Sequence, residues 1–435
     1  MTRIGSDEAR GAGRPTVAVV GGGVGGLLAA IGAADHGARV VLLEPHPLGG
    51  RARTDQRGGF TFNRGPRALY LGGPAESALD RLGVDLRRGS PPVTRRAGAI
   101  DGGTVHRFPD GGVALARTHL FRGRERLAAV RAMLPLLRDP GPIDPSLSLS
   151  AWLDDRRVSG APRRLVEAMV RLATYVDAPD DLPAVVGLAG ARSAATTGVR
   201  YLDGGFGRLV AELALLASER GVEVLATQAT AVERAGGGWR VRAGEAEVAA
   251  DAVVLAVGTP DAAAALLDAP PTSWARLGAP ATAACLELGV RGVPARRFCL
   301  GIDQPTYLSV HSPPARLAPE GDAVVHVMRY RRPGDGLDRA QLRRQLDEVV
   351  RLAGIAADSI VEERFLPSMA VMGAVPTVGT GGLAGRPPVA LDGHPGAFLA
   401  GDWVGPVGLL LDAVAASAEA AGQQAAAWRA TMSAR

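Results

Sequence analysis

A chain of 435 residues is too long for one simple core, so it is read as two domains or as one domain carrying a large insertion. With 47% hydrophobic residues it is not a disordered polyelectrolyte. The formal charge of +5 comes from 49 basic residues that are all arginine and form no dense run, which argues against a nucleic-acid partner; the absence of lysine excludes a Schiff-base nucleophile.

The opening residues 1–15, MTRIGSDEARGAGRP, lack an apolar core segment and read as a disordered lead-in, with a cytoplasmic location as the expectation. Cys285 and Cys299 form no CxxC pair and have no histidine at ligand spacing, so neither a disulfide framework nor a metal site is expected. No uncharged run reaches the length of a bilayer span, which leaves peripheral contact as the one membrane association to consider.

In chain order, Thr16 to Val20 is a short apolar strand followed by a glycine cluster and the Ala/Leu-rich segment Leu27 to His36, which predicts strand, tight turn and helix. Gly37 stops the helix, and Ala38 to Glu44 is a second buried strand, completing a βαβ unit. From Glu76 the pattern mixes helices and short strands, with amphipathic stretches at Arg124–Leu137 and Pro162–Tyr175. Gly204-Gly205 opens a helix over Phe206–Arg220, followed by a strand at Val222–Leu225, a hairpin around Trp239–Ala243 and Ala246–Val248, and a buried strand over Asp251–Val257. Strands at Ala283–Val290 and Ala323–Tyr330 and a charged helix at Asp338–Ala353 follow; a strand over Gly396–Asp402 and a long Ala-rich helix, Leu411–Trp428, close the chain. The expected domains are a discontinuous nucleotide-type domain (16–75, 196–269 and 381–435) and a substrate domain (76–195 and 270–380).

The sharpest chemical signal is Gly21-x-Gly23-x-x-Gly26. Its first glycine permits the tight turn, its second lets a pyrophosphate approach the backbone, and its third allows helix and strand to pack closely. The helix that follows points free N–H groups and a positive dipole end at the phosphates. Glu44 lies eighteen residues after Gly26, where an acid accepts both ribose hydroxyls of an adenosine and repels a 2′-phosphate, so FAD or NAD is expected and not NADP. In Leu48-Gly49-Gly50-Arg51-Ala52-Arg53-Thr54 the glycines free the backbone and an arginine can neutralise phosphate.

These strings, together with Gly59-Phe60-Thr61-Phe62-Asn63-Arg64-Gly65-Pro66, Asp203-Gly204-Gly205 and Leu399-Ala400-Gly401-Asp402-Trp403, resemble the superfamily of FAD-dependent amine oxidases, phytoene desaturases and protoporphyrinogen oxidases. The resemblance covers both ends and the middle of the chain and is poor elsewhere. It implies an α/β fold in which a glutathione-reductase-like Rossmann-type domain binds FAD without a covalent link and carries an inserted mixed α+β substrate domain. It implies that Gly21, Gly23, Val24, Gly25 and Gly26 hold the pyrophosphate, Glu44 the ribose, and Gly50 and Arg51 the phosphate side. Gly65 and Pro66 would lie near the isoalloxazine, Ala229 near adenine, and Gly401 and Asp402 at the ribityl chain. Gly408, Leu409 and Leu410 would open a helix aimed at the flavin's pyrimidine end.

The departures shape the expected activity. Relatives that oxidise amines use a lysine–water–flavin bridge and an aromatic cage, whereas this chain has no lysine and reads Gly405-Pro406-Val407-Gly408-Leu409-Leu410-Leu411 where one cage aromatic would fall. Neither cysteine lies in the closing segment, which excludes a thioether to the flavin there. The expectation is therefore an oxidoreductase of desaturase or dehydrogenase type that passes a hydride or electron pair from a hydrophobic small molecule to FAD, and onward to oxygen, a quinone or a nicotinamide. The alternatives are an amine or porphyrinogen oxidase using oxygen, and a non-catalytic lipid- or prenyl-binding protein on the same fold. The flavin itself does the chemistry; Arg67 and Tyr70 are the side chains nominated beside it. Arg124–Leu134 reads as an ordinary surface helix, with a membrane-surface helix as the alternative. His106, His119, His311 and His326 show no ligand spacing, and the flavin role of Asn63, where relatives often carry an acid, is left open.

Overall fold

The structure, a computed structural model, describes residues 2–4, 14–332 and 334–432. Of the lead-in expected over 1–15, residues 1 and 5–13 lie outside the described residues, and Thr2–Ile4 form a strand parallel to Ala246–Ala250.

Five strands form a parallel sheet in the spatial order Glu223–Leu225, Arg39–Leu43, Thr16–Val20, Ala252–Leu255, Ala397–Leu399. Both faces are covered, which is why these strands read as continuous apolar runs. Val17, Val19, Val40 and Leu42 point toward the helices, and Ala18, Val20, Val41 and Leu43 toward an antiparallel meander of Ala231–Ala235, Gly238–Ala243 and Ala246–Ala250. The helices Val24–Asp35 and Leu410–Met432 cross at alanines and glycines: Ala29, Ala33, Ala418 and Ala421 are buried there, and a Cβ on Gly422 would collide with the Ala29 carbonyl. The chain leaves Thr16–Val20 toward one side of the sheet and returns beside it at Ala252–Leu255, so the strand order reverses there. Ligands of open α/β sheets bind beyond the carboxyl ends of the strands at such a point.

A second layer is a seven-stranded sheet, ordered Ile360–Met372, Ala281–Val290, Ala323–Arg331, Thr306–Val310, Phe298–Gly301, Gly98–Asp101, Thr104–Arg107. It is antiparallel except where Phe298–Gly301 meets Gly98–Asp101. The helix Arg339–Ala353, begun by a capping box between Asp338 and Gln341, covers one face. Helices Leu149–Asp155, Gly160–Thr174 and Ala184–Thr196 pack on the other.

Two sequence expectations shift. The boundary at residue 76 falls inside the helix Pro74–Arg81, whose Ala75, Ala78 and Leu79 join the core of the parallel-sheet layer, because the helix packs on Leu410–Met432. The stretch Arg124–Leu137 is an α-helix only over Glu125–Met133 and tightens into a 3₁₀ turn at Leu134–Leu136, where Pro135 cannot supply an N–H. Among the described residues no helix is long and apolar enough to cross a membrane.

Candidate functional site

A cavity opens at the point where the strand order reverses, and it runs without interruption from Gly21, Gly23, Val24 and Gly25 past Glu44 to Asp402 and the start of the last helix at Leu409–Leu411. The three fingerprint glycines do different things in it. Gly21 has φ +105°, a left-handed conformation that favours glycine, and a Cβ there would sit 2.6 Å from the Ala256 carbonyl oxygen. A Cβ on Gly26 would collide with the Gly21 carbonyl oxygen, so this glycine serves helix–strand packing; it does not line the cavity. Gly23 lines the cavity, and a Cβ there would meet nothing within 4 Å, so the open space in front of it is free for a ligand. Gly23 also caps the helix Val24–Asp35 with no side chain accepting from its first turn, which leaves amides available to an anion.

Glu44 directly follows the strand Arg39–Leu43 and is fixed by two backbone amides: Gly22 donates to Oε2 at 2.8 Å and His46 to Oε1 at 3.0 Å. Asp402, only 2% exposed, is held at the far end. Its Oδ1 accepts from the Gly373 amide at 3.0 Å and its Oδ2 from Arg51 Nη1 at 2.7 Å. Each carboxylate oxygen has two acceptor directions, so Asp402 keeps capacity for a further donor. The loop that carries it is pinned by Ser417 Oγ, which accepts from the Gly401 amide at 3.0 Å, and by Trp403 Nε1, which donates to the Val257 carbonyl at 3.2 Å. The expectation that Arg51 faces a phosphate is corrected in part: the side chain lines the cavity, yet its Nη1 is bound to Asp402 and to the Val371 carbonyl.

Arg67 also lines the cavity, and Nη2 donates to the Arg51 carbonyl at 3.0 Å. Its buried Nε has no partner and, among the described residues, no carboxylate pairs with it. Burial, reinforced by the neighbouring Arg51, pulls its pKa below the ordinary guanidinium value. A half-buried cation with no carboxylate partner is free to meet an acceptor from outside the chain. Tyr70 donates to the Ala173 carbonyl at 2.8 Å, and burial pushes its phenol, like that of Tyr175, well above the usual range, so both stay neutral. Five non-glycine residues among those described have positive φ, and two of them, Tyr175 at 62° and Leu410 at 51°, line the cavity. Such conformations cost on the order of 1–3 kcal/mol each and cluster at functional sites.

Of the remaining expected residues, Gly50, Pro66, Gly401 and Leu409 line the cavity. Three others lie outside this lining, and Asn63, whose role was left open, has a packing partner. Ala229 is 8% exposed, packs between the parallel sheet and the meander, and does not line the cavity. Gly65 is covered by Met369, and its amide donates to Glu287 Oε1 at 2.7 Å. Gly408 faces an adjoining passage and not the main cavity. Asn63 accepts from the Phe206 amide at 2.9 Å, so it positions the helix Gly205–Glu219.

Sequence reasoning missed a buried network behind this site. Glu287 is fully buried; Arg364 pairs with it and with Asp55, and His326 Nδ1 lies 3.3 Å from its Oε1. Burial opposes ionisation of Glu287, but His326 and Arg364 together hold its pKa below the usual value. Cys285, Glu287 and His326 converge because Glu287 and His326 are register partners on adjacent strands, something their spacing along the chain does not reveal. The Gly65 amide and Arg364 already engage both carboxylate oxygens of Glu287, which makes the cluster an ion-pair network. A lone acid in the otherwise apolar run Ala281–Val290 was the available signal.

The donor set suits a flavin dinucleotide: an open glycine cradle, an uncapped helix end, acids at both ends and an unpaired cation. Neither cysteine lines the cavity. Comparison with known proteins agrees on a dinucleotide-binding domain. The NAD(P)-binding Rossmann-like domain family matches residues 19–82. Over 159 residues the chain is 33% identical to coproporphyrinogen III oxidase of Propionibacterium freudenreichii subsp. freudenreichii, covering 35% of this chain and 30% of that one. Over 246 residues it is 29% identical to hydroxyneurosporene desaturase of Cereibacter sphaeroides, covering 48% and 49%. The chain thus matches less than half the length of either curated relative. Cyclohexylamine oxidase from Brevibacterium oxydans IH-35A superposes with a TM-score of 0.68 at 19% identity, over 97% of this chain and all of that one, which speaks to the fold.

Proposed function

We propose, from the premise that the chain belongs to the superfamily of FAD-dependent amine oxidases and phytoene desaturases, that it is an oxidoreductase holding FAD non-covalently and oxidising a hydrophobic small molecule. The observation that carries this reading is the single cavity joining Gly23 and Glu44 to Asp402 and Leu410. When bound, FAD accepts the electron pair of the substrate. The chain's own contribution is to bind and orient. The Gly23–Gly25 amides would meet the pyrophosphate, Glu44 the ribose and Asp402 the ribityl chain. Arg67 would supply positive charge where the reduced ring gathers electrons. Tyr70 and Tyr175, both neutral, would wall off water.

An aliphatic face at Leu409–Leu411 and the missing lysine favour dehydrogenation of an apolar substrate over amine oxidation. Peripheral membrane contact is part of the proposal: Leu127, Val130, Leu134 and Leu137 recur at helical spacing and are all exposed, beside the exposed Arg124, Arg131 and Arg138. Purified protein should be yellow and release FAD on heat denaturation, and candidate substrates should bleach it without oxygen. A colourless protein that takes up no FAD would overturn the reading in favour of a non-catalytic lipid binder.

A further inference from the structure

A second cavity of about 510 Å³ adjoins the first and shares Tyr70, Leu409, Leu410 and Asp412 with it. Its size lies within the roughly 300–1,000 Å³ of small-molecule sites. Three separate segments wall it with Pro145, Val185, Val186, Ala189 and Leu383, and Asp412 is the one charged residue that lines it. Tyr70 is already committed to the Ala173 carbonyl.

Asp412 is built into this place. A Cβ on Gly73 would collide with its carboxylate, and one on Gly408 would sit 2.8 Å from its Cβ, so both glycines make room for it. The Ala75 amide donates to Oδ1 at 2.9 Å, and no cation pairs with the carboxylate among the described residues. Burial, with the charge of Glu76 adding to it, raises its pKa above the ordinary aspartate value. The first turns of the helices Leu410–Met432 and Pro74–Arg81 favour its charge, but Oδ2 has no donor among the described residues, so the carboxylate facing this apolar passage has acceptor capacity that a ligand's donor would fill.

We infer that Asp412 is a specificity residue which anchors a ligand made of an apolar body ending in one hydrogen-bond donor, a hydroxyl or an ammonium, with the body lying in the passage toward the main cavity. This deepens the proposed function and rests on it for the role of the main cavity. Calorimetry on the FAD-loaded protein with 1-octanol, n-octylamine and heptyl methyl ether tests it, the ether being an isomer of octanol without the donor. Octanol and octylamine should bind at least about tenfold more tightly than the ether, the loss expected when a buried acceptor goes unmet. Asp412→Leu should erase that preference. Asp412→Asn keeps an acceptor for the Ala75 amide and should weaken octylamine about tenfold relative to octanol, which decides the matter should the leucine variant fail to fold by circular dichroism. Equal binding of ether and octanol, or a preference that survives in folded Asp412→Leu, would overturn the inference. Because calorimetry reads binding irrespective of colour, a failed anchor and a missing flavin are separate results.

Discussion

The parallel-sheet layer and the antiparallel layer build their half of the site by opposite means. In the first, backbone does most of the work: Gly21, Gly23 and Gly26 open a cradle and the amides of Gly22 and His46 fix Glu44, while Asp402 is held by Arg51 and by the amide of Gly373, just past the strand Ile360–Met372. In the second, side chains do it: the buried Glu287 and His326 and the largely buried Arg364, with the partly exposed Asp55 at their edge, tie the strand Ala281–Val290 to the turn at Gly65. A backbone cradle tolerates loss of its ligand, whereas a buried ion network does not tolerate loss of a member.

Substitutions can break this contrast. Glu287→Ala should have the largest effect, about 3–5 kcal/mol, because it leaves the Gly65 amide without its acceptor and the largely buried Arg364 with Asp55 as its remaining carboxylate; chemical denaturation measures it, and a loss under 1 kcal/mol would show that the network is dispensable. Gly26→Ala should cost about 1–3 kcal/mol or more through overpacking against the Gly21 carbonyl, and flavin should be lost along with stability. An alanine variant with wild-type melting temperature would contradict the packing role.

The smallest expected effect is on pH dependence. The Arg64 hydrogen bond, ahead of the Arg364 contacts, lowers the Asp55 pKa from 3.8 to about 2 in the fold. Its folded pKa is depressed, so its contribution to stability is present above about pH 4 and is lost as pH falls through about 2. Urea midpoints followed from pH 5 to pH 2 should therefore fall more steeply for the wild type than for Asp55→Asn. Parallel curves would remove Asp55 from the network.

The same contrast explains what could be read in advance. A glycine turn between a strand and a helix constrains the backbone within a few residues, so Gly21, Gly23, Glu44 and Asp402 were legible, and the cavity brings all four together. Glu287 and His326 meet only through strand register, and Asp412 acquires its surroundings from segments around residues 145, 185 and 383. Ala229, expected near adenine, packs in the core between the two sheets, and a position just past a strand does not say which layer covers it.

Titrating flavin-free protein with FAD, for wild type and Gly23→Val, tests the central claim most directly. The space in front of Gly23 is free of protein atoms, so the variant should keep the wild-type melting temperature and lose at least about a hundredfold in FAD affinity, which corresponds to about 2.7 kcal/mol. A folded Gly23→Val protein that binds FAD as tightly as the wild type would contradict it.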